Sequence, residues 1–143
     1  MLQGHDSRAD AEAVIATART AGIAINSDDS LAISAPPALA RAFHFGCLDT
    51  RDSSGTPVLQ TGRAVFDALR YGPIGLFGIE TAAGGGRHAV ALHGIIYEYD
   101  GDLDAASGVT VWGVDPRRGV PINMDFWQLQ SQFRIEYILY HKS

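Results

Sequence analysis

Cysteine is nearly absent from this 143-residue chain: Cys47 is the only one. It cannot close an intrachain disulfide, and a structural zinc held by several thiolates is excluded. Lysine is as scarce, with Lys142 alone beside ten arginines. Charged residues make up only 19% of the chain and the net charge is -5. No basic stripe is present to neutralise phosphates, so free nucleic acid is not an expected partner. Every apolar run is soon interrupted by Gly, His or a charge, so no transmembrane helix is expected. The opening residues MLQGHDSRAD lack the charged-then-apolar order of a signal peptide, and the expected setting is cytoplasmic or that of a secreted effector.

Apolar residues, in contrast, make up 46% of the sequence. A chain of this length suits a single domain, and it can bury about 70% of the surface that its unfolded form exposes. No internal repeat is visible. Residues 1–71 read as a helical part and 72–143 as a sheet part. A first helix is expected after Asp6 or Ser7, with Ala11, Val14, Ile15 and Ala18 on one face and Gly22 just beyond its end. A second starts near Ser34–Pro37 and runs through ALARAF. Residues 49–57, rich in Asp, Ser, Gly and Thr, suit an exposed connection. TGRAVFDALRYG predicts a third helix with Thr61 as cap and Val65, Phe66 and Leu69 facing inward.

The pattern then changes. PIGLFGI (73–79) predicts a short apolar strand. HAVALHGIIYEYD (88–100) is apolar on both faces, as a central strand is. VTVWGVD (109–115) is a third strand, NMDFWQLQSQF (123–133) a helix capped by Asn123, and RIEYILYH (134–141) a closing strand. Helices first and then a small antiparallel sheet make an α+β fold. Trp112, Phe126, Trp127 and Tyr137 are expected in the core.

His88 stands where a glycine-rich turn becomes a strand, and Asp115 ends the next one. If those strands are antiparallel neighbours, the two side chains meet although 27 residues separate them. A carboxylate beside an imidazole fixes its tautomer and raises its basicity, the orienting role in a nucleophile–base–orienter triad. The ordinary alternatives are a structural histidine and a turn aspartate before Pro116. His88 and His93, five apart, face opposite sides of a regular strand, and no metal site or cofactor is expected.

The run Gly72–Pro73, then Arg87-His88-Ala89-Val90-Ala91-Leu92-His93-Gly94-Ile95, then Val109-Thr110-Val111-Trp112-Gly113-Val114-Asp115-Pro116 resembles the C-terminal half of papain-like cysteine peptidases. The resemblance is to the bacterial branch that includes bacteriocin-leader peptidases and papain-like effectors of plant pathogens. It covers about 60 residues, and the helix with Phe126 and Trp127 extends it. It implies a papain-like fold, whole or truncated, with His88 as base and Asp115 as orienter of a thiol nucleophile. The family's Cys-Trp pair at the start of a buried helix is missing here. Cys47 follows a helix C-terminus, the unfavourable end of the dipole for a thiolate. Three arrangements remain open: a nucleophile on another segment, an inactive member, or Cys47 reaching the site by another route. The implied partner is a peptide or protein, with self-association or a completing chain expected if the family's central helix is absent. The competing expectation is a catalytically inactive papain-like module that binds a partner.

Overall fold

The computed structural model describes residues 35–82, 85–105, 107–115 and 119–142, and the first expected helix lies outside them. The described elements run α1 (Ala35–Phe43), β1 (Phe45–Asp49), α2 (Gly62–Ala68), β2 (Ile74–Glu80), β3 (Arg87–Ile96), β4 (Thr110–Asp115), β5 (Val120–Asp125), α3 (Phe126–Gln132) and β6 (Phe133–His141). Short 3-10 turns at Leu69–Tyr71 and Asp100–Asp104 complete them. The architecture is mixed α/β. One six-stranded sheet has the order β1-β6-β2-β3-β4-β5, and every neighbouring pair is antiparallel.

The expected order of helices before sheet does not hold. Phe45–Asp49 is a strand placed between two helices, and it pairs with β6 through Cys47↔Leu139. The division at residue 71 therefore cuts through the sheet. The segment FGCLD is too short for its period to show, and only its partner defines it as a strand. The turn into it is made at His44, whose φ of 61° ends α1 in the left-handed region. A second correction falls at residues 123–125, which end strand β5 and do not start a helix. The cap of α3 is accordingly Asp125, whose carboxylate accepts from the Trp127 amide at 2.9 Å.

Side-chain alternation divides the core between the two faces of the sheet. Leu76, Val90, Leu92, Val111, Ile122, Ile135 and Ile138 point to one face and pack under Val65 and Ala68 of α2 and Phe126 and Leu129 of α3. Phe45, Tyr137 and Leu139 point to the other and pack under Leu39 and Ala40 of α1. Phe126 and Tyr137 are buried as expected, but Trp112 and Trp127 are exposed, and Phe66 lies on the outer side of α2 against Tyr97. Trp112 lies over Gly94 and stacks on His93 at the surface. A large apolar residue in a regular element need not face inward when a glycine next to it offers a flat seat.

Two irregularities shape the sheet. The β2–β6 ladder shifts between Phe77 and Gly78, and the β3–β4 ladder between Leu92 and Gly94. The first leaves Glu136 as the extra residue of β6. Thr50 clamps that bulge, donating its amide to the Glu136 carbonyl at 2.9 Å and its hydroxyl to the Ile135 carbonyl at 2.7 Å. Bulges such as these re-aim the residues beside them.

Candidate functional site

The C-terminal end of β2, the start of β3 and the end of β4 meet at one corner of the sheet. The hairpin joining β2 to β3 is closed by Glu80, whose amide donates to the Gly86 carbonyl at 3.0 Å. It is tied to α3 by Thr81, whose amide and hydroxyl donate to the carbonyls of Gln132 and Ser131. In register, Gly78 lies opposite His88 and Ala91 opposite Val114. Glu80, Gly78, His88 and Asp115 therefore all point to the face that carries Leu76 and Val90. Asp115 is held at its backbone as well, because its carbonyl accepts from the Gly119 amide at 2.8 Å.

His88 and Asp115 meet at this corner. Nε2 of His88 lies 2.8 Å from Oδ2 of Asp115, and both residues are buried, at 9% and 7% exposure. A carboxylate at that distance is an acceptor, so Nε2 carries the proton and Nδ1 is the basic nitrogen of the neutral ring. On the Nδ1 side, Oε1 of Glu80 stands at 3.8 Å, and the Phe133 ring meets the imidazole edge-on. Glu80 was not among the residues singled out from the sequence. It lies just outside the apolar run PIGLFGI, and only the hairpin brings it back to His88.

Cys47 is not part of this arrangement. It packs with Leu139 and Phe77 beneath α1, on the opposite face of the sheet from His88. Its register partners Leu139, Gly75 and Ala91 place it three strands away from His88 and three residues along. That amounts to about 14 Å across the sheet and about 10 Å along it. The described structure does not bring Cys47 to His88. Burial, and secondarily the Asp49 carboxylate, push the Cys47 thiol above its ordinary value. Its alkylation by iodoacetamide is expected to be slow below pH 8 and the same in wild type and His88→Ala. Fast labelling at pH 6 that depends on His88 would contradict the placement.

Behind the corner, on the Cys47 face, Glu136 is buried with its carboxylate 3.7 Å from the Arg87 guanidinium. Burial raises its pKa against the opposing pull of Arg87 and Arg51. Arg51 is chelated by Asp49 at 2.9 and 3.0 Å and donates to the Tyr137 hydroxyl. A shallow groove of about 470 Å³ between α2 and β3, lined by Phe66, Leu69, Arg70 and Ile95, is distant from both clusters. It lies at the far end of β3, about 20 Å along the strand from His88. Among the described residues no group of three or more His, Cys, Asp or Glu side chains is placed to hold a metal ion, and no helix is long and apolar enough to cross a membrane.

No family model, curated protein or solved structure matches this chain.

Proposed function

We propose that the chain is the base-bearing part of a papain-like amide hydrolase acting on a peptide or protein. The observation that carries this reading is the buried 2.8 Å contact between His88 and Asp115. It joins residues 27 apart that the motif resemblance had singled out independently. In the proposed reaction a thiol other than Cys47 gives its proton to Nδ1 of His88 as its sulfur bonds to the scissile carbonyl carbon. The imidazolium then protonates the amine as the C–N bond breaks. Water next loses a proton to His88 as its oxygen bonds to the same carbon. The C–S bond breaks, and the proton returns to sulfur. Asp115 keeps Nε2 protonated throughout, so Nδ1 is the nitrogen that takes up and returns the proton.

A small external thiol can stand in for the missing nucleophile. With 2-mercaptoethanol and a p-nitrophenyl ester, the chain is expected to accelerate thiol-dependent release of p-nitrophenolate. His88→Ala should lower that rate by about 10²-fold or more, the usual contribution of a positioned base. Equal rates for wild type and His88→Ala from pH 6 to 9 would reject the hydrolase reading.

The position of Cys47 favours a second reading, a papain-like module that binds a peptide without cleaving it. That reading expects no thiol-dependent turnover and a peptide affinity unchanged by His88→Ala.

A further inference from the structure

We infer that the outer edge of β1 is an interface between two copies of this chain. The second copy adds its own β1, antiparallel and centred on Cys47, so that the two sheets run on as one. The inference does not depend on the chemistry of His88. An open sheet has two edges, and here they are β1 and β5. Every second residue of an edge strand points its N–H and C=O outward, a template for another strand.

The ladders identify those residues. The Thr50 amide donates to the Glu136 carbonyl at 2.9 Å, in the register that pairs Gly46 with Tyr140 and Leu48 with Ile138. Gly46, Leu48 and Thr50 therefore bond inward to β6, and Phe45, Cys47 and Asp49 present their backbone outward. No backbone partner meets these three on that side among the described residues. At the opposite edge the Phe126 amide donates to the Val109 carbonyl at 2.8 Å, which turns Pro121, Asn123 and Asp125 outward. Pro121 has no N–H to give and α3 begins directly after Asp125, so β5 is blunted as edge strands commonly are. β1 has no such protection. It holds neither proline nor lysine, and its one charge, Asp49, is neutralised by Arg51.

The match of this strand to itself selects a second copy as the occupant. A two-fold axis that pairs Cys47 with the partner's Cys47 brings every outward position of one strand onto an outward position of the other. Phe45 then pairs with the partner's Asp49 and Asp49 with the partner's Phe45, and each outward N–H meets an outward C=O. The same register sets Leu48, which is 42% exposed, beside the partner's Gly46. The ring of Tyr140 fills the place where a Cβ on Gly46 would stand, so Leu48 leaves water for an aromatic surface. No like charges are set opposite each other.

One strand pair is smaller than the standard interface of about 1,600 Å², so the dimer is a weak one. Sedimentation velocity on the full chain from about 10 μM to about 1 mM brackets such an association. The expected result is a monomer that passes to a dimer as concentration rises. The amides of Phe45, Cys47 and Asp49 should gain protection from hydrogen exchange over the same range. Cys47→Pro removes an outward N–H and leaves the β6 ladder intact. Leu48→Lys puts a charge at the seam and carries the test should Cys47→Pro fail to fold. Each should weaken association by about tenfold or more, the cost of one lost contact of this kind. Asn123→Pro, at the β5 edge, should leave it unchanged. A monomer at every concentration overturns the inference, as does a dimer that Leu48→Lys does not weaken. Edge amides equally protected at all concentrations also overturn it, since another segment of the same chain then covers β1.

Discussion

Gly78→Ala is expected to destabilise the protein by about 4 kcal/mol, at the upper end of what overpacking a core costs. A Cβ at Gly78 would stand 1.9 Å from the Arg134 carbonyl oxygen, 2.8 Å from its carbon and 3.0 Å from the Ile135 Cα. All three are backbone atoms of β6, in the middle of the sheet and at the bulge. No rotamer change relieves such a contact, and β2 must part from β6. Because Gly78 is the register partner of His88, the same displacement moves the imidazole away from Asp115. Gly86→Ala is the control. No atom lies within 4 Å of its Cβ position, and its backbone is outside the left-handed region. It should change stability by less than about 0.5 kcal/mol. Urea unfolding of both variants measures the difference. A Gly78→Ala protein as stable as Gly86→Ala would mean that the β2–β6 approach is not as close as described.

The second large effect concerns the pair itself. Asp115→Ala removes the acceptor from a buried ring nitrogen, and His88→Leu removes the donor from a buried carboxylate. Each should cost about 3 kcal/mol, since a buried polar partner left behind bears its full desolvation penalty. In a domain of this size that lowers the melting temperature by about 10 °C. The double variant leaves neither group stranded by the loss of the other. It should therefore cost less than the sum of the singles, by about 2 kcal/mol. Full additivity would show that the two side chains do not support each other and would remove the basis for assigning them a joint role. The stability cycle requires no substrate, so it tests the geometry independently of any chemistry.

Much of this corner is legible from residues alone. His88 after glycines and Asp115 before proline mark the two ends of successive apolar runs, but their antiparallel pairing across residues 97–109 is a condition that only the assembled sheet meets. The helices over ALARAF and GRAVFDA and the strands at 74–80, 87–96, 110–115 and 133–141 carry enough period or apolar length to be read locally. Local pattern fails where a partner defines the element. FGCLD and VPINMD have no clear alternation, and each is a strand because β6 or β4 supplies its hydrogen bonds. Asn123 looked like a cap because cap residues are chosen by side-chain chemistry. Asp125 takes that position because β4 keeps the chain extended two residues longer.

Composition and local order thus settle the size of the core, the main helices and strands, and the identity of one histidine and one aspartate worth pairing. Only the assembled sheet decides that Cys47 and His88 lie on opposite faces, because facing depends on register, and register depends on strands distant in the chain. The sheet also places Glu80 beside Nδ1. That contact follows from a hairpin and a bulge that bring β2, β3 and β6 together, and no spacing within a single segment encodes it.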